Sequence, residues 1–171
     1  MLAIVDSEFF NVFDFKETGF KWISGNPKKA FAEPFNIVIT QAMAKKYFGD
    51  NDPLGKPLKL EGQLDMKVTG VITDLPPNSD LPFTLLISYP TLYELEGDKM
   101  KDDWNSINND HQAFVTLPET VSVEEAEAQF YKAHSLHVDK KTADAREICF
   151  AASVGNAQEC STRQLQPAKR G

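Results

Sequence analysis

The sequence predicts an α+β fold: a mixed or antiparallel sheet with helices on one face, and a smaller inserted part. Three observations point there. Ile37-Val38-Ile39 is a β-branched run too short for a helix, and helical spacing follows it at once. Residues 57–60 and 65–72 form two strand-like runs around a Glu61-Gly62-Gln63 turn, which is the pattern of a hairpin. Residues 112–117 alternate again and run into a second helical repeat, so two βα passes embrace the hairpin and an interposed stretch.

From the start of the chain, residues 5–15 hold Phe9, Phe10, Val12, Phe13 and Phe15. Asp6 or Ser7 is placed to cap a short helical turn carrying the first of these rings. Five large apolar side chains in eleven residues belong in a core or on a partner. Residues 16–34 are less regular, with turns at Gly19, Gly25 and Asn26-Pro27, a helical turn at 27–31, and an extended approach at Glu33-Pro34. Thr40 then offers its hydroxyl as an N-cap. Met43 with Tyr47, and Ala44 with Phe48, put apolar groups on one helical face. Gly49 suits a left-handed helix end, and Pro53 prevents the helix from resuming.

In the hairpin, Met66, Val68 and Ile72 are expected on one face with Lys67 and Thr69 on the other, and Gly70 marks a bulge or a close backbone approach. Pro76-Pro77 breaks the sheet. Residues 83–88 read as a strand, Pro90 opens a short helix through Leu92, Tyr93 and Leu95, and 96–103 reads as a polar loop before Trp104. Ala113, Val115 and Leu117 fall on one side of the returning strand. Ser122 and Glu125 spell a capping box, and Val123, Ala126, Phe130, Ala133 and His137 recur at helical spacing. Periodicity fades from Lys140, and 148–171 reads as tail.

Composition narrows the function. A chain of 171 residues is long enough to bury roughly 70% of its unfolded surface without a metal or disulfide. The formal net charge of −7 and the lack of a basic stripe argue against nucleic acid and against adsorption on anionic lipid. No apolar run reaches the ~20 residues needed to span a bilayer. Asp6 and Glu8 interrupt the opening residues too soon for a signal peptide. A chain that begins in mid-strand reads as a soluble piece of a larger protein.

Candidate chemistry is sparse. His134 and His137, three apart on the last helix with Asp139 or Glu127 near by, lack a third ligand of the right spacing, and packing or exposed surface is the better account. His111 stands alone. Asp50, Asp52, Gly55 and Glu61 fit positions one, three, six and twelve of a calcium loop, but Leu54 occupies position five and a strand follows, so a connecting turn is expected. Cys149 and Cys160 either close a loop of about ten residues or remain two thiols. No G-x-S-x-G, H-E-x-x-H, P-loop or G-x-G-x-x-G occurs, and the carboxylates are evenly strewn. No catalytic, cofactor-binding or metal residue is therefore nominated, and the chain is read as no enzyme.

Several ordered segments resemble the MacB-like periplasmic core domain, the extracytoplasmic domain of FtsX-like permeases in type VII ABC transporters. They are Val5-Asp6-Ser7-Glu8-Phe9-Phe10-Asn11-Val12-Phe13-Asp14-Phe15, then Gly25-Asn26-Pro27-Lys28-Lys29-Ala30-Phe31. The stretch 36–49 follows with Asp52-Pro53-Leu54-Gly55-Lys56, then Lys67-Val68-Thr69-Gly70-Val71 with Asp74-Leu75-Pro76-Pro77-Asn78-Ser79. Trp104-Asn105-Ser106 and the Phe114 strand complete the series, which covers about 5–137. Only the end departs from the family pattern: Gln164-Leu165-Gln166-Pro167 fits a return toward a membrane helix, but Ala168-Lys169-Arg170-Gly171 and the Cys149 to Cys160 tract do not.

The resemblance implies a Porter-like part at about 1–75 and 111–147, an inserted subdomain at about 76–110, and no catalytic residues. It implies placement on the periplasmic side of the inner membrane, held by flanking helices absent from this chain. The implied partners are an ATP-binding subunit acting through the parent permease, a second permease copy, and a periplasmic adaptor or substrate. The implied work is coupling cytoplasmic ATP hydrolysis to export or extraction. A free-standing periplasmic module binding peptide or lipid is the alternative.

Overall fold

The computed structural model describes residues 1–13, 21–75, 82–97 and 113–138. Two compact units divide the chain, Met1–Asp103 and Trp104–Gly171. In the first, the elements run β1 (Leu2–Val5), α1 (Phe9–Val12), β2 (Trp22–Gly25), β3 (Asn36–Thr40), α2 (Gln41–Phe48), β4 (Pro57–Leu60), β5 (Leu64–Ile72), β6 (Leu85–Ser88) and α3 (Pro90–Glu96). The described part of the second unit is an extended stretch at 113–118 followed by α4 (Val123–His137).

Among the described residues the strands make one mixed sheet, ordered β1-β6-β3-β5-β2, with β4 also on β5. Strand β3 lies parallel to β5 and antiparallel to β6, and β1 lies parallel to β6. The nine-residue β5 is long enough to carry two partners along one edge. Its first half pairs with β4 across the hairpin and its second half with β2, both antiparallel. The 76–110 stretch expected to be an insertion supplies β6, which is hydrogen-bonded on both sides, so residues 85–88 belong to the sheet.

Every residue of β3 is buried, as a strand covered on both faces requires. Val38 joins Val5, Phe9, Phe10, Ala30, Phe31, Ile72 and Leu86 in one core. Ile37 and Ile39 join Leu58, Met66, Val68, Val71 and Ile87 in the other. Helices therefore cover both faces rather than one. The α1 rings pack in the first core, and Met43, Ala44 and Phe48 of α2 pack on the second. Phe10 stacks on Phe31 at 5.6 Å and meets Trp22 edge-on at 5.0 Å. Burying each such ring contributes about 1.5–3 kcal/mol.

A bulge explains the other departure in the sheet. Ile37 pairs with Val68 but Val38 pairs with Gly70, so Thr69 is an extra residue on β5. One inserted residue reverses which face follows. Met66, Val68 and Val71 share a face, and Ile72, expected with them, lies on the opposite side. Gly70 is the close approach the sequence suggested. A Cβ there would overlap the Trp22 ring, which lies across it.

Two helix starts behave differently. At α4 the capping box forms as written: Glu125 N–H donates to Ser122 Oγ at 3.2 Å, and Ser122 N–H donates to Glu125 Oε2 at 3.2 Å. At α2, Thr40 sits at the N-cap position, but its hydroxyl makes no cap bond and is buried without a partner among the described residues. Ala42 N–H donates instead to Asp74 Oδ1 at 3.0 Å, so a carboxylate from beyond β5 serves the helix start. Tyr47, expected beside Met43 on the packed face, is half exposed with Lys46 Nζ 5.4 Å from its ring. Gly49 ends α2 at φ 62°, with its N–H donating to the Lys45 carbonyl.

Near the start of the chain, Glu8 N–H donates to Asp6 Oδ1 at 2.9 Å, so Asp6 fixes the turn into α1. The segment entering β3 turns sharply, with Phe35 at φ 61°, where an extended approach was expected. Phe35 N–H donates to Thr91 Oγ1 at 2.8 Å, and Ser88 Oγ donates to the Glu33 carbonyl at 2.7 Å. Since the single Ser88 proton is committed, Thr91 donates to Ser88 across their 2.8 Å contact. Both hydroxyls are buried, and this chain ties the turn to β6 and α3.

In the second unit, 113–118 is exposed and is not assigned to a strand, contrary to its alternation. On α4, Val123 and Ala126 are half-buried, while Phe130, Ala133 and His137 are exposed. The stripe read from the sequence is therefore covered only at its beginning.

Candidate functional site

The residues considered for chemistry do not converge. His134 is half-buried and His137 exposed on α4; His111, Asp139, Cys149 and Cys160 lie outside the described residues. Among the described residues no three of His, Cys, Asp and Glu are grouped to hold a metal. The calcium-loop candidates form the turn into the hairpin. Asp52 Oδ1 accepts from Leu54 N–H at 3.0 Å, and Gly55 N–H donates to the Val68 carbonyl at 2.7 Å. Glu61, at φ 50°, belongs to the hairpin turn itself.

Tyr89 stands apart electrostatically. Burial, then Tyr93 and Asp6, raise its phenol above the usual tyrosine range. Its ring meets that of Tyr93 edge-on at 5.4 Å. The raised Tyr89 phenol is not a base suited to neutral pH.

A hollow of about 570 Å³ is a different feature. It lies where β2 and β4 leave the edge of β5, between the turns at 25–33 and 54–55, and Asn36, Lys67 and Thr69 also line it. Thr69 Oγ donates to the Ala30 carbonyl at 2.9 Å, which holds the 29–33 turn over the strand ends. Sequence reading missed this hollow because its walls come from four separated segments, and the bulge that Gly70 signals does not say which segments it joins.

The sequence pattern of the MacB-like periplasmic core domain matches residues 1–133. The chain belongs to that family. Its structure is similar to a domain of a protein assigned as a permease in Porphyromonas gingivalis, at 25% identity and TM-score 0.61, covering 82% of this chain and 61% of that one. It is also similar to the periplasmic region of MacB from Actinobacillus actinomycetemcomitans, at 18% identity and TM-score 0.47, covering 77% and 54%. The extracellular domain of the noncanonic ABC-type transporter YknZ from Gram-positive bacteria gives 21% identity and TM-score 0.34, covering 48% and 42%. The chain thus spans about three-fifths or less of each of these structures. No curated protein matches its sequence.

Within the MacB-like periplasmic core domain family, a mixed sheet with helices is the expected α+β arrangement, and this chain has it. Among the described residues no helix is long and apolar enough to cross a membrane.

Proposed function

We propose that this MacB-like periplasmic core domain is a non-catalytic mechanical part of an ABC transporter permease. It couples ATP hydrolysis on the cytoplasmic side to export or extraction of a substrate at the cell envelope. The observation that carries the reading is β3, wholly buried, paired on both sides and gripped by a separate core on each face. Interiors packed this way are nearly incompressible, so a push at one edge of the sheet reaches the other with little loss.

In the parent protein the domain stands on the periplasmic side of the inner membrane, between flanking helices. It acts with an ATP-binding subunit, and the permease works as a pair. A periplasmic adaptor or the cargo meets its outer surface. The division into a Porter-like part, an inserted part and a tail from about 148 belongs to the same proposal.

The test is made in the parent permease with its ATPase, by unfolding the domain with Val68→Asp. ATP hydrolysis is expected to persist while export falls to background. Export at the unmodified rate would overturn the mechanical reading. A parent gene without membrane segments on both flanks would favour the free-standing binding module instead.

A further inference from the structure

We propose that the hollow beside the β5 bulge binds a carboxylate set next to a peptide amide, as at a peptide C-terminus or an acidic residue of an extended segment. Its volume, about 570 Å³, falls within the ~300–1,000 Å³ of small-ligand sites. Asn36 is 5% exposed yet forms part of the wall, and no described residue hydrogen-bonds its carboxamide. A carboxamide both donates and accepts, which suits a peptide group.

Lys67 is the register partner of Asn36 on the neighbouring parallel strand, so the two side chains share a face. Lys29 stands on the overlying turn, and Glu33 contributes a carboxylate to the same wall. Among the described residues of the wall, two ammonium groups against one carboxylate leave a single net positive charge on a molecule whose total is −7. That balance favours a monoanion. Glu33 would repel a phosphate dianion, and the described residues of the wall include no arginine fork, which suits phosphate best. A Cβ at Gly55 would meet nothing within 4 Å, so that part of the wall is open backbone.

This inference does not rest on the mechanical reading, and its failure would leave that reading untouched. The test is NMR titration of the ¹⁵N-labelled chain with four probes. These are N-acetyl-tetra-alanine with a free carboxylate, the same peptide amidated, N-acetyl-Ala-Glu-Ala-amide, and inorganic phosphate. Saturable shifts are expected at the Asn36 side-chain amide and the Thr69 N–H with one or both carboxylate peptides, and the responding peptide identifies the source. Amidation is expected to weaken binding at least fivefold, as is the Lys29→Gln/Lys67→Gln double substitution, which changes only exposed side chains. No saturable shift with either carboxylate peptide, equal binding of the amidated form, or phosphate binding as tightly would each overturn the proposal.

Discussion

Strand β3 and residues 112–117 both read as strands in the sequence, yet β3 is one and the described 113–117 is not. The difference lies in what surrounds each. Ile37, Val38 and Ile39 are fully buried between two paired neighbours and two cores. Val115 is 57% exposed and belongs to no strand among the described residues. Residue type gives a segment the capacity to be a strand, but hydrogen-bonding partners and a covered face make it one.

The sharpest way to break that contrast is to introduce the same charge in both places. Val68→Asp, in the β5 segment paired with β3, buries an unpaired carboxylate and should cost several kcal/mol. Val115→Asp should stay within about 0.5 kcal/mol. Urea unfolding of both variants checks this, and comparable losses would remove the distinction.

Next in size is Thr91→Val. It leaves the part-buried Phe35 N–H without its acceptor and should cost about 1–3 kcal/mol, read as a lower denaturation midpoint. A neutral result would mean that the Phe35 turn is held by something other than the Thr91–Ser88 chain.

Smaller again are the helix caps. Asp74→Ala should cost about 1 kcal/mol by freeing Ala42 N–H, whereas Thr40→Val, which removes a hydroxyl that makes no cap bond, should leave the α2 start unchanged. Ser122→Ala should fray the first turn of α4 by a similar local amount, seen in the chemical shifts of 122–126.

These helix starts also mark how far the sequence could be read. Ser122 and Glu125 lie three apart, so their box is complete in local sequence. Asp74 reaches Ala42 across 32 residues, and nothing at Thr40 indicates that its hydroxyl faces inward instead. The central strand, its helix, the hairpin and the α3 turn were legible because each is fixed by its own spacing. The β2 strand and the helices on both faces were not, since Trp22 and Phe10 pack on partners distant in sequence, Gly70 and Phe31. The face of Ile72 escaped for a related reason: the extra residue at Thr69 changes the count without changing the pattern. The hollow was illegible because tertiary pairing alone brings Asn36, Lys67 and Lys29 together.

The smallest expected effect is with pH. The Tyr89 phenol is held above its ordinary range by burial, Tyr93 and Asp6, so the folded state retains that proton longer than the unfolded state. Its contribution is complete below the ordinary tyrosine pKa near 10 and is lost as pH rises through the raised value. Tyr89→Phe should therefore flatten the fall in stability above about pH 10. An unchanged alkaline slope would assign that fall to other groups.

Amide hydrogen exchange tests the rigid sheet most directly. The amides of Ile37, Val38 and Ile39 should open only with global unfolding, while those of Val115, Thr116 and Leu117 should exchange orders of magnitude faster. Similar protection in the two segments would contradict a stiff body centred on β3, and the mechanical role proposed for it.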